Sequence, residues 1–189
     1  MGELTNGVVL YHGSYCEVQS PDLKKCAKYK DFGQGFYLTT SLEQAKNFAK
    51  LSTRKAKANG IVDASQGYGI VSSYEFSLQS ENQINAYLFE TANAEWLHCV
   101  VGHRKADSFP ELVNQLKKYG IIGGKIADDS TNATITAYMV GTFGKIGTDL
   151  ADNMCISLLL PERLKDQFCF RTKEALDKLR YLESEKICL

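Results

Sequence analysis

The chain has 189 residues, 22 basic and 22 acidic side chains, 44% hydrophobic residues and 23% charged ones. That length suits one domain with a sizeable core rather than two full domains, and the hydrophobic share excludes wholesale disorder. A net charge of zero argues against a protein that coats nucleic acid, because counterion release needs a surplus of Lys and Arg. The longest apolar run, residues 156–160, stops at Pro161, so no membrane span and no membrane partner are expected. The first residues lack a basic segment followed by an apolar one, so no signal peptide is expected and the reading is cytoplasmic. Cys16, Cys26, Cys99, Cys155, Cys169 and Cys188 form no C-x-x-C pair and read as reduced packing residues. No metal site is expected, since Cys99 and His103 at i, i+4 supply two ligands only.

In chain order, residues 8–11 read as a strand that delivers His12, Gly13 and Ser14 at its end. A polar stretch to Asp31 follows, with one turn of helix. A glycine-hinged turn then enters a strand around Tyr37. Thr40 with Glu43 predicts a capping box that opens a helix running to about Asn59, stopped by Gly60. Residues 68–78 alternate as a strand. Helices are predicted over 92–105, 109–119, 131–139 and 149–160, with a buried strand at 121–127. Residues 167–171 alternate as a strand, Thr172 caps a last helix to Arg180, and Tyr181 opens an edge strand. Strands and helices mix without regular β-α-β alternation, which predicts an α+β class in a single domain spanning 1–189.

Several familiar motifs fail. Gly33-Gln34-Gly35 has Leu38 where a dinucleotide fingerprint needs a third glycine, and a strand follows where it needs a helix. Gly141 to Lys145 lacks the spacing of a P-loop, and no G-x-S-x-G elbow exists. What remains is an ordered constellation: Tyr11-His12-Gly13-Ser14, then Phe32-Gly33-Gln34-Gly35-Phe36-Tyr37-Leu38, then Gln167-Phe168-Cys169-Phe170. Each part lies on or beside a predicted strand. Tyr37 and Phe48 can offer two aromatic faces to a flat cation or amide. Gly13 lets the backbone approach a ligand closely.

The constellation resembles the ADP-ribosyltransferase superfamily, in the branch whose three motifs are a histidine, a tyrosine and a glutamate. The second motif is similar to the poly(ADP-ribose) polymerase pattern Phe-Gly-x-Gly-x-Tyr, with an aromatic residue, here Phe48, eleven positions after the tyrosine. Residues 31–48, Glu95-Trp96-Leu97 with Arg104, residues 126–130 and residues 166–179 also resemble an uncharacterised bacterial family placed in that superfamily. The resemblance implies split antiparallel sheets around a cleft for NAD, which serves as substrate. It implies catalytic roles for His12, Tyr37 and Gln167, and cofactor contacts from His12, Gly13, Ser14, Gly35, Tyr37 and Phe48. In the family, the backbone matching Gly13 grips the nicotinamide carboxamide, and the residue matching His12 bonds a ribose hydroxyl.

Two departures matter. Gln167 stands where the family glutamate bonds the ribose 2′-hydroxyl, and Ala45 stands where the polymerases carry a serine. An amide lacks the charge that offsets an oxocarbenium-like ribose, and losing one such group costs about 10²–10³ in rate. Transfer of a single unit is therefore expected rather than polymer elongation, with Gln167→Glu raising nicotinamide release. The acceptor is unknown, a protein being favoured over nucleic acid, and the role is that of a toxin or a regulator. The alternative is a module that binds NAD or ADP-ribose without turnover. His12, at the end of its strand and before Gly13 and Ser14, reads as facing an opening rather than a core. His98 and His103 read as surface or satisfied interior residues, and the Lys46 to Lys57 run as a solvated helix face.

Overall fold

Apolar residues alternate through the strands around Leu10, Phe36, Tyr74 and Phe168, so each strand carries one face that must be covered. The computed structural model describes residues 4–78, 85–126, 129–160 and 164–189. In chain order they form β1 (Val9–Ser14), β2 (Phe36–Leu38), α1 (Leu42–Ala58), β3 (Tyr68–Phe76), β4 (Ala86–Leu88), α2 (Ala94–Arg104), α3 (Pro110–Leu116) and β5 (Ile121–Lys125). These are followed by α4 (Asp129–Met139), α5 (Asp149–Leu159), β6 (Asp166–Phe170), α6 (Lys173–Leu176) and β7 (Leu179–Cys188). A single 3-10 turn, Leu23–Lys25, interrupts the polar stretch after β1.

Two sheets result, with strand orders β1-β3-β7 and β2-β6-β5-β4. The α+β class holds. The expectation that both sheets are antiparallel needs one correction, because β4 and β5 run parallel. The chain between them carries α2 and α3, the crossover that a parallel pair requires.

The sheets share a core of Leu10, Phe36, Leu38, Tyr74, Phe76, Ile121, Phe168 and Phe170. Each such side chain contributes about 1.5–3 kcal/mol when fully buried. The opposite face of the four-stranded sheet, with Ile122 and Cys169, packs under helices through Trp96, Leu97, Val100, Ile135, Tyr138 and Cys155. Trp96 is fully buried and donates its indole N–H to the Lys125 carbonyl at 2.9 Å. α1 covers the three-stranded sheet through Ala45 and Ala49 against Val71 and Ile187. Small side chains there let the helix lie close to β1.

The N-cap of α1 is Ser41, whose hydroxyl accepts from the Gln44 N–H, so the predicted capping box at Thr40 sits one residue early. Thr172 caps α6 as expected, but that helix ends at Leu176 and the chain enters β7 at Leu179. The last residue of the strand predicted over 121–127 lies outside the described residues.

Candidate functional site

β1 and β2 belong to different sheets and meet in one bridge. The Tyr11 N–H donates to the Thr39 carbonyl at 2.8 Å, and the Thr39 N–H returns a bond to Tyr11 at 3.0 Å. One rung further an antiparallel ladder would set Gly13 against Tyr37. The strands part instead, and the Tyr37 carbonyl lies 2.9 Å from Nδ1 of His12. Since a carbonyl only accepts, Nδ1 carries the proton and Nε2 of the neutral ring is the acceptor. Alternation along β1 sends the main-chain N–H and C=O of Gly13 the same way as those of Tyr11, toward the parted seam.

A side chain at Gly13 is sterically excluded. A Cβ there would lie 2.0 Å from the Ala45 carbonyl oxygen and 2.9 Å from the Cβ of Phe48. Gly13 and Phe48 are thus adjacent, and Phe48 keeps 39% of its surface exposed on α1. Tyr37 lies on the other side of the seam. Its hydroxyl donates to the Gly33 carbonyl at 2.8 Å and accepts from the Phe32 N–H at 2.9 Å, so the ring pins the glycine turn. Gly33 has φ of 83°, a left-handed conformation that favours glycine. Burial pushes the Tyr37 phenol well above its usual range. Among the described ring pairs, none joins Tyr37 to Phe48.

His12 is more packed than its sequence context implies. Its ring lies 4.4 Å from that of Phe36, and burial lowers its pKa below the usual imidazole value. His12 is thus a seam residue, half-buried and hydrogen-bonded through Nδ1, with Nε2 as its remaining acceptor. Ser14 is buried with its hydroxyl 3.9 Å from the Cys16 sulfur. Gly35 abuts β6, where a Cβ would meet the Cys169 sulfur at 2.4 Å. Its lack of a side chain serves that packing.

Gln167 shares a sheet face with Cys169 and Tyr37, while Phe168 and Phe170 turn to the shared core as the alternation predicts. Yet Gln167 is only 6% exposed, and its Nε2 donates to Oδ2 of Asp31 at 2.7 Å. Asp31, 7% exposed, is held through Oδ1 by Arg104, from Nε at 2.8 Å and from a terminal nitrogen at 2.5 Å. Arg104 also reaches Asn132 of α4 at 2.9 Å. The importance of Asp31 and Arg104 was not visible in the sequence beyond their presence in the resembling segments. Gln44 was missed as well: Thr39 Oγ1 lies 3.2 Å from its Oε1, and its Nε2 is buried without a hydrogen-bond partner among the described residues. In this network Gln167→Glu would set a second carboxylate against Asp31.

Elsewhere, His98 Nε2 meets Asp152 at 2.7 Å and its ring stacks on Phe109 at 4.0 Å, a satisfied interior as expected. His103 is less satisfied: Nδ1 bonds the Cys99 carbonyl, but its buried Nε2 has no partner among the described residues. Two shallow depressions, about 260 Å³ beside Leu23, Lys24, Gln34 and Arg171 and about 240 Å³ beside His98 and Phe109, lie away from the seam. Among the described residues no group of three or more His, Cys, Asp or Glu is placed to hold a metal, and no helix is long and apolar enough to cross a membrane.

A comparison with curated proteins gave no match. The model of the DUF3990 family, described as a protein of unknown function, matches residues 8–181, and the chain belongs to that family.

Proposed function

We propose that this chain is a cytoplasmic mono-ADP-ribosyltransferase with an ADP-ribosyltransferase-like fold, which moves ADP-ribose from NAD to an acceptor, most simply a protein. The observation that carries the reading is the parted seam. The main chain of Gly13 turns toward it, His12 and Tyr37 are joined across it, and Phe48 stands beside Gly13 with an exposed ring. A carboxamide is a donor and an acceptor at once, and a strand edge offers its complement. Gln44 adds a buried donor that lacks a partner among the described residues, which such a ligand would satisfy.

In the reaction, the bond between the ribose C1′ and the nicotinamide nitrogen breaks and nicotinamide leaves as a neutral ring. The acceptor atom bonds C1′ and gives up its proton. Gln167 orients the ribose 2′-hydroxyl through its carbonyl oxygen, and His12 accepts from ribose at Nε2. Without a carboxylate at 167 the developing positive charge is offset weakly, so wasteful hydrolysis is slow. The same observation supports a second reading, a module that holds NAD or ADP-ribose without turnover. Phe48→Ala separates binding at the seam from binding elsewhere. Calorimetry with NAD should show a dissociation constant raised about 2–10-fold, as expected for loss of an aromatic face. The free protein's melting midpoint should barely move, because Phe48 is half exposed. Unchanged affinity would remove the seam as the nicotinamide site.

A further inference from the structure

We propose that Asp31, clamped by Arg104, is a positioning residue that fixes the Gln167 amide and makes an amide, rather than a carboxylate, the side chain this site accepts at 167. The inference rests on the reading of Gln167 as the group that meets the ribose. A carboxylate only accepts hydrogen bonds, so Asp31 Oδ2 dictates that the amide nitrogen faces it at 2.7 Å. The carbonyl oxygen is then the end left to accept from a hydroxyl. Arg104 holds the other oxygen of Asp31 with two nitrogens and braces itself on Asn132, so the carboxylate cannot rotate away.

The groups around the pair explain why a glutamate does not fit. α2 brings Arg104 together with His103 and Cys99, β2 brings Tyr37, and β6 brings Cys169. Burial lowers the pKa of His103 and raises those of both thiols, so Arg104 supplies the positive charge bonded to Asp31, while Arg171 acts on His103, Cys99 and Cys169. Glutamate is isosteric with glutamine, and its oxygen would take the place of Nε2 against Asp31. Two carboxylates at that separation cannot both ionise, and they must share a proton. Exchanging the residues instead of adding one restores the balance. In Asp31→Asn with Gln167→Glu, the Asn oxygen accepts from Arg104 while its nitrogen donates to the new carboxylate.

Four proteins test this: wild type, Gln167→Glu, Asp31→Asn and the double variant, each melted at pH 8 and pH 5 and assayed for nicotinamide release. Gln167→Glu should melt about 10 °C below wild type at pH 8. Much of that deficit should vanish at pH 5, where the new carboxyl is protonated and can donate to Asp31. The double variant should recover to within about 3 °C of wild type at pH 8. In the assay, Asp31→Asn should lower kcat about 10²-fold with KM for NAD nearly constant, since the amide is free to flip. The double variant should match or exceed wild type. A double variant no more stable than Gln167→Glu, or a Gln167→Glu protein as stable as wild type at pH 8, overturns the inference. Absence of nicotinamide release from all four sinks the transferase reading instead, and the melting pattern then decides the role of Asp31 by itself.

Discussion

Gly13 shows how tightly the seam is specified at the scale of one residue. Its missing Cβ would sit against the Ala45 carbonyl oxygen and the Ala49 nitrogen, both backbone atoms that cannot swing aside. Gly13→Ala should therefore lower stability by about 3 kcal/mol by forcing α1 off β1, roughly 6–12 °C in the melting midpoint. Gly67→Ala, where nothing lies within 4 Å, should melt like wild type. Equal midpoints for the two variants would contradict the close packing described. His12 makes a different prediction. Burial lowers its pKa from 6.5, so the folded protein resists a proton that the unfolded chain accepts. Stability present above about pH 6.5 is thus lost progressively as the pH falls from that value through the lowered folded one, and His103 contributes in the same sense. The wild-type midpoint should fall between pH 7.5 and 5.5, and His12→Gln should fall less. An identical slope would mean that His12 is not held neutral by the fold.

Among elements, α1 does the most to shape the site, because it carries Gln44, Ala45 and Phe48 and lies across β1. Its start is fixed by Ser41, whose hydroxyl lies 3.3 Å from the Gln44 nitrogen. Ser41→Ala should cost about 1 kcal/mol, or 2–4 °C, and Thr40→Ala should cost less. The reverse order in a melting experiment would restore the capping box one residue earlier. The misplacement has a plain cause: Thr-x-x-Glu satisfies the box pattern at 40 and 43, while Ser41 is an equally good cap adjacent to it. Strand β7 was only half legible for a similar reason. It is an edge strand with Arg180, Glu183, Glu185 and Lys186 on it, so the apolar alternation that marks buried strands is weak. β4 is three residues long and offers no period to read.

Across the whole molecule, what alternation and helical period encode is local, and it was readable: the α+β class, α1, α2, α5 and the core-facing Phe168 and Phe170. The seam was readable only as motif order, since nothing in one sequence says that β1 and β2 meet at Tyr11 and Thr39 and then part. Ties across long stretches of chain were not readable. Asp31 reaches Arg104 and Gln167 over 73 and 136 residues, and no spacing rule connects them. That is why the sequence pointed to Gln167 only through motif order and did not show it as a buried member of a charged network. The central claim is that this seam and network transfer ADP-ribose from NAD. The most direct measurement is nicotinamide released from NAD by the wild-type protein, with and without a panel of candidate protein acceptors. The account predicts slow release without acceptor and a clear rise with the right one, and release no faster than buffer under every condition would contradict it.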